Sequence, residues 1–458
     1  MRTKKPRTGP PVKVIAASSA GTIVEWYDFF IYGTAATLVF GKIFFPTAES
    51  ELAGILAALG TYAVGFAARP IGGVIFGHFG DKYGRKKLLQ VSLLIIGIAT
   101  FCIGLLPTFD QVGVLAPALL VALRFAQGIA LGGEWGGAVL LVSEHGDRER
   151  RGLWSSFPQA AVPAGNILAT GVLAILSATL SSEQFLSWGW RVAFLASAVL
   201  VFIGYYIRTK IEDAPIFQEA LKEAAAEEKE QAPFKEVVRE YPRQLLVAMG
   251  LRVAENIQYY MVVSFSLTYL KVVVKTDTST ILQLMLVAHA VHLFAVPAFG
   301  FLSDRIGRKP VIGAGIIAGA VWGVVAWHIF DTNSTAAIVG TLVAGLIAQA
   351  LMYGPQAAAL SEMFPTRMRY TGISIGYQVT SIFAGALAPI IAGALLATYG
   401  NSTPITVYML IAAAISFVAL MCARETKGLD YAVLDDARTE RIARQRVAGG
   451  AGALQKLG

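Results

Sequence analysis

The sequence predicts an all-α integral membrane protein with twelve transmembrane helices in two six-helix halves. Three observations predict it. The 458-residue chain is 55% hydrophobic and only 15% charged, whereas a soluble domain carries roughly 25% charged residues. Apolar runs of about 18 residues or more, long enough to cross a bilayer, recur along nearly the whole length. A charged phrase also occurs twice between such runs: Gly77-His78-Phe79-Gly80-Asp81-Lys82-Tyr83-Gly84-Arg85-Lys86-Lys87, and Gly300-Phe301-Leu302-Ser303-Asp304-Arg305-Ile306-Gly307-Arg308-Lys309-Pro310.

Taken in order, residues 1–13 form a basic tail and residues 14–40 the first span. That span is too long for a signal peptide, carries Glu25 and Asp28 and lacks a clear cleavage site, so it reads as a retained helix. Spans at 52–79 and 88–109 flank the first charged phrase, and 111–142 carries Arg124 and Glu134. Spans at 152–182 and 184–207 complete a half at 14–209. Residues 210–242, rich in Glu, Lys and Ala, read as a polar connection with helix-forming composition at 215–231. The second half, 243–423, holds spans at 244–270, 278–303, 311–330 and 335–360. It ends in an uncharged run, 371–423, that 399–404 divides in two. The polar tail 424–458 reads as partly disordered.

The repeat extends beyond the charged phrase. Ser143-Glu144 with Arg151 and Gly152 resembles Ser361-Glu362 with Arg369 and Gly372; Gln159 matches Gln378, and Glu25 and Asp28 correspond roughly to Glu255 and Gln258. Duplicated helical membrane proteins are mostly transporters, with the substrate site between the halves.

The net charge of +8 follows topology rather than nucleic-acid binding. With the N-terminus in the cytoplasm, short inner loops collect Lys82, Arg85, Lys86, Lys87, Arg148, Arg150, Arg151, Arg305, Arg308, Lys309, Arg367 and Arg369. The outer loops hold Lys42, Lys271 and Lys275. This positive-inside bias puts both termini in the cytoplasm. Cys102 and Cys422 both fall inside spans and suggest neither a disulfide framework nor a metal cluster.

Charges inside the bilayer cost at least about 2.5 kcal/mol each and mark function by default. Glu25 and Asp28 share a helix face. Asp28 lies about 20 Å in from Ile15, and Arg124 about 16 Å in from the other end of its span. Asp28 or Glu25 is expected to carry a proton. Its affinity for that proton would depend on whether Arg124 pairs with it or with a substrate anion, and a structural ion pair is the plain alternative. Arg252 and Glu255, three apart, read as a second wall of the pocket, either neutralising each other or contacting substrate. Glu134, in Gly132-Gly133-Glu134-Trp135-Gly136-Gly137, reads first as a packing or gating residue and second as a coupling one. Arg69 reads as a structural partner for a carboxylate. Gln159, Gln378, Tyr32, Tyr259, Tyr260, Trp135 and Tyr377 are candidate pocket liners. His289 and His292 share a face and read as a hydrogen-bonded pair or a proton relay, with no third ligand at metal spacing. In the repeated loop, Asp81 suits a helix N-terminus and can pair with Arg85, for which Glu144 is a second partner. Asp304, Arg308 and Glu362 are the second-half equivalents, and the cluster reads as a cytoplasmic gate, with a plain topology anchor as the alternative.

The repeated Gly-x-x-x-Asp-x-x-Gly-Arg-Lys resembles the signature of the major facilitator superfamily, and Arg124-Phe-Ala-Gln127-Gly128 resembles its second signature. Glu362-Met-Phe-Pro365-Thr-Arg-Met-Arg369 and Glu425-Thr-Lys-Gly428 resemble marks of its sugar-porter-related branch. Gly21-Thr-Ile-Val-Glu25-Trp26-Tyr27-Asp28-Phe29, Arg69-Pro-Ile-Gly72-Gly73 and Trp188-Gly-Trp190-Arg191 resemble the metabolite:proton symporters, which include shikimate, α-ketoglutarate, citrate and proline/betaine permeases. The resemblance implies the major facilitator fold, a substrate and H⁺ as ligands, no cofactor, and a monomer in the cell membrane. A proton-coupled importer of a small organic carboxylate is the leading reading, with a proline/betaine-type zwitterion symporter as the alternative. Phe157-Pro158-Gln159-Ala160 stands where drug exporters carry a Gly-Pro motif, which disfavours efflux. An enzyme would need a nucleophile–base or metal constellation, and a channel a ring of like groups; neither is evident in the sequence.

Overall fold

The computed structural model describes residues 12–83, 85–132, 147–212, 234–433 and 435. Twelve helical rods run through these residues. They are α1 (Val12–Ala35) with its π-helical continuation Ala36–Phe40, α2 (Glu51–Tyr83), α3 (Arg85–Leu105), α4 (Leu115–Leu131) and α5 (Arg151–Thr179). α6 (Ser182–Tyr206) ends the first half. The second half holds α7 (Pro242–Val274), α8 (Thr278–Ile306), α9 (Arg308–Asp331), α10 (Thr335–Ser361), α11 (Thr371–Tyr399, entered from Thr366) and α12 (Thr403–Cys422). Among the described residues, nine helices are long and apolar enough to cross a membrane.

Local chemistry sets the breaks. Ser181 and Gln184 form a capping box at the start of α6, and the Asp277 side chain accepts from the Thr280 amide to start α8. Gly307, at φ +108°, turns the chain from α8 into α9; a side chain is strained there, which is the reason for a glycine in the repeated phrase. Wider π-helical turns interrupt α7 at Met261–Phe265 and Leu270–Val274 and α11 at Ser381–Ala386. Such turns often sit at functional sites.

The halves meet most extensively where α5 packs on α8. Glycines allow that approach: a Cβ on Gly152 would stand 2.5 Å from the Gly300 carbonyl oxygen, and one on Gly300 2.6 Å from that of Gly152. Without a hydrophobic drive between helices in lipid, small residues let backbones gain van der Waals contact. This crossing lies at the face that carries the repeated charged loop, here termed the motif face. Across the opposite face α2 approaches α11, where Leu56 packs on Gly393.

The C-terminal tail is ordered at its start. Residues 424–433 and 435 pack on the motif face rather than hanging free. Tyr431 lies between Arg151 and Arg369, whose guanidinium carbons stand 3.9 and 3.4 Å from its ring centre. Asp435 accepts from the Thr366 amide and hydroxyl, both at 2.8 Å. Composition scores polarity, and it does not register partners such as the Arg305 carbonyl under Lys427 or the backbone amides on Glu425.

Candidate functional site

The first-half centre is built from α1 to α4. Asp28 is buried, 1% exposed. Among the described residues no donor stands in hydrogen-bonding geometry to either of its carboxyl oxygens; Thr100 and Arg124 face it. Arg124, equally buried, donates from Nη1 to Gln127 Oε1 at 3.0 Å. Gln127 Nε2 donates to Thr100 Oγ1 at 2.7 Å, and Thr100 donates to the Ile96 carbonyl at 2.9 Å. The expected charges of α1 and α4 therefore converge, but as neighbours and not as a contact ion pair; the polar chain from Arg124 ends on the Ile96 carbonyl. Nε and Nη2 of Arg124 have no hydrogen-bond acceptor among the described residues.

Aromatic faces hold that guanidinium. Tyr32, Tyr62 and Phe29 lie 4.3, 4.7 and 5.1 Å from its carbon, and desolvated cation–π contacts of this kind are worth about 2 kcal/mol. Gly65 makes the space, since a Cβ there would stand 2.8 Å from Arg124 Nε. Arg69 lies over Phe66 and Phe29 at 4.4 and 5.0 Å, so aromatic rings join whatever carboxylate contact it makes. Tyr32 is fully buried beneath Arg124 and shares a hydrogen bond with Thr61.

The second-half centre is self-contained. Arg252 Nη1 donates to Gln356 Oε1 at 2.6 Å and stands 3.6 Å from Glu255. Gln349 donates to Glu255 at 2.6 Å and Gln356 does so at 3.4 Å. His292 Nε2 meets Gln349 Oε1 at 2.7 Å, while neither ring nitrogen of His289 has a partner among the described residues. Arg252 also lies 3.5 Å over the Tyr377 ring. Glu255 and Arg252 thus neutralise each other, one of the two readings of their spacing.

Between these centres the halves are in contact. Phe30 meets Tyr259, and Phe66 meets Tyr260, at ring separations of 5.9 and 6.0 Å. Gln159 donates to the Tyr353 carbonyl at 2.6 Å, so in this conformation it ties α5 to α10 instead of lining a pocket. A cleft of ≈ 10 Å³ remains beside Glu25, Arg69, Tyr377 and Gln378. A side-chain rearrangement or parting of the halves is needed before a metabolite fits.

The motif face is sealed by ions. Glu362, 1% exposed, accepts from Arg151 at 2.9 Å, from Arg308 at 3.2 and 3.3 Å and from Thr426 at 2.6 Å. Asp304 accepts from Arg308 at 2.6 Å and from the backbone amides of Gly152 and Leu153 at 2.8 and 2.9 Å. Its carboxylate caps the N-terminus of α5, a helix of the other half, where negative charge is favoured. Burial would raise the Glu425 carboxyl, but backbone amides of Arg308, Lys309, Lys427 and Thr426 outweigh it and hold the group below the usual carboxylate range. The structure brings Asp304, Arg308 and Glu362 together. Glu134 and Glu144 lie outside the described residues, as do the side chains of Asp81 and Arg85.

Breaking a buried ion pair from one side costs about 3–5 kcal/mol. Glu362→Gln is therefore expected to open the motif face. A cysteine placed at Ser156, with Cys102 and Cys422 replaced, should react with a maleimide at least tenfold faster in that variant than in the parent.

Several contributors were missed from the sequence. Gln127 was visible in Arg124-Phe-Ala-Gln127-Gly128 but was not assigned a contact. Arg151 was counted as a topology charge only. Tyr431, Gln349 and Gln356 carried no local signal, because their partners come from distant helices.

Twelve helices in two halves, sealed by ions at one face and enclosing buried charges at the centre, define a membrane carrier of the major facilitator class. The chain belongs to the sugar (and other) transporter family, whose model matches residues 13–436. It is 39% identical to the inner membrane metabolite transport protein YhjE of Escherichia coli over 91% of this chain and 94% of that one. It is 37% identical to the E. coli shikimate transporter over 90% of this chain and 94% of the relative. Identity to the E. coli proline/betaine transporter is 34%, covering 90% and 83%. The solved structure of the proton:xylose symporter XylE superposes with a TM-score of 0.71 at 16% identity, covering 93% of this chain and 98% of that one, a likeness of fold. The protein is a multi-pass metabolite transporter and not an enzyme.

Proposed function

We propose that the chain is a proton-coupled symporter that imports a small organic carboxylate of shikimate or α-ketoglutarate type by alternating access. The observation that carries this reading is Asp28, buried without a hydrogen-bond donor among the described residues, beside an arginine whose Nε and Nη2 have no acceptor among them. An ionised, unpaired carboxylate at such depth is costly, and a proton removes the cost. A substrate carboxylate on Arg124 would withdraw the guanidinium from Asp28 and favour that proton. With Glu255 matched by Arg252, the first half sets Arg124 and Arg69 against Asp28 and Glu25. Protonating Asp28 leaves one positive charge, which matches a monocarboxylate such as shikimate more closely than a dicarboxylate.

The remaining roles follow. Glu25, at the cleft with Arg69 and Gln378, is the second candidate for the proton and Glu134 the third. Tyr32, Gln159, Gln378, Arg252 and Glu255 border the substrate when the halves part. Asp304, Arg308 and Glu362, with Asp81, Arg85 and Glu144, gate the cytoplasmic side. Both termini lie in the cytoplasm of a cell whose inner membrane holds the protein as a monomer. Gln349 and Gln356 already engage Glu255, which weighs against the zwitterion alternative, since a cationic substrate group needs a free anion.

Purified protein in weak buffer is expected to take up protons when shikimate or 2-oxoglutarate is added, and unlabelled carboxylates should compete for labelled uptake. Competition by proline or betaine, with none by carboxylates, overturns this reading in favour of the zwitterion.

A further inference from the structure

At the face opposite the motif loops, a lysine crosses between the halves. Lys271 sits in the last π turn of α7, Leu270–Val274, with its side chain 11% exposed. Its ammonium donates to the carbonyls of Thr37 and Leu38 at 3.2 and 2.9 Å. Both belong to the π turn Ala36–Phe40 that ends α1. Two wide turns, one from each half, are thus joined by one side chain. Glu51 lies 3.8 Å from Lys271 and 3.4 Å from Lys42. These groups border a cavity of ≈ 220 Å³ lined in part by Thr37, Leu38, Lys42, Ser50, Glu51 and Lys271.

We propose that Lys271 is the latch of the outer gate, and that a small carboxylate entering this cavity is the ligand that releases it. The inference rests on the carboxylate reading above and goes beyond it, to how the opposite side opens. The two carbonyls are neutral acceptors and Glu51 is shared with Lys42, so the lysine lacks an anion of its own. The ammonium's bonds to the two carbonyls are already charge-assisted, but a carboxylate adds the attraction between two unit charges, so an arriving carboxylate displaces the carbonyls. The lining carries two ammonium groups against one carboxylate, a balance that suits one monoanion. Releasing Lys271 unties α7 from α1, the helix that carries Asp28, and the same anion then has a path inward to Arg124. The ammonium is a compact charge on a flexible stem, able to follow the ligand as the gate parts.

The test uses the full chain in intact cells, with Cys102→Ala, Cys422→Ala and a reporter, Ala58→Cys. Ala58 is fully buried on α2, one turn inward from Ile55 at the cavity and one turn outward from Tyr62. A membrane-impermeant maleimide should label the parent slowly, and shikimate, a monoanion, should speed labelling at least fivefold. Lys271→Met should label at least tenfold faster with no carboxylate present and lose the response. Lys271→Arg should keep slow basal labelling, which separates loss of the latch from general misfolding. Unchanged labelling in Lys271→Met overturns the latch; an undiminished carboxylate response in that variant overturns the release step. If no carboxylate drives proton uptake in the parent, the functional reading fails, while fast labelling of Lys271→Met would still identify the latch.

Discussion

Asp28→Asn is expected to abolish accumulation driven by a pH gradient while sparing exchange of labelled for unlabelled substrate. Asparagine keeps the size and neutrality of a protonated carboxyl, so helix packing around this fully buried position is retained. It cannot release a proton, so the internal-to-external substrate ratio should fall to about one. Exchange needs no net proton movement and should persist. The expectation is checked in proteoliposomes by comparing uptake under an imposed pH gradient with counterflow in its absence. Accumulation that persists in Asp28→Asn moves the proton to Glu25, the next carboxyl on that helix face, and the same pair of measurements on Glu25→Gln decides it. Loss of both activities would mark Asp28 as a packing residue.

Arg124→Ala is expected to remove carboxylate binding by on the order of 100-fold or more. Truncating one partner of a buried, hydrogen-bonded charge pair costs about 2–5 kcal/mol, and each 1.4 kcal/mol is tenfold in affinity. Arg124→Lys should recover only part of the loss. Lysine restores the charge but not the planar fork that stacks on Tyr32 and Tyr62 and leaves two N–H groups unused. Calorimetric binding to the three proteins is the measurement. Affinity unchanged in Arg124→Ala would move the anion site elsewhere, with Arg69 the next guanidinium at the centre. Proton uptake on substrate addition should disappear together with binding, because the coupling passes through the same guanidinium.

Much of this site was legible because intramembrane charge is rare. In a bilayer an unmatched ion is expensive enough that Asp28, Arg124, Arg252 and Glu255 stand out from composition and depth alone. The repeated loop was legible for a related reason: Gly307 needs a backbone that side chains resist, and Asp304 and Arg308 belong to a short charged phrase between apolar runs. Pairing was less legible. Arg124 and Asp28 converge as expected but do not touch, because Gln127 holds the guanidinium, and neutral amides and hydroxyls leave little trace in hydropathy. Gln159 looked like a pocket liner because it is polar within a span; its acceptor, the Tyr353 carbonyl, is a backbone group that any sequence would supply. The packing of residues 424–433 was not legible for the same reason, since Tyr431 finds its two arginines only once both halves are in place.

By itself, the sequence determined the number of spans, their duplication and the identity of the charges placed in oil, because burial in lipid is a property of each segment taken alone. Only the tertiary structure decided which of those charges meet. It showed that one half neutralises its own acid while the other leaves Asp28 without a donor among the described residues, and that Glu362 and Lys271 tie the halves at opposite faces. Those contacts join residues far apart in the chain, and hydrogen bonding acts over about 3 Å, so only the packed helices bring them within reach.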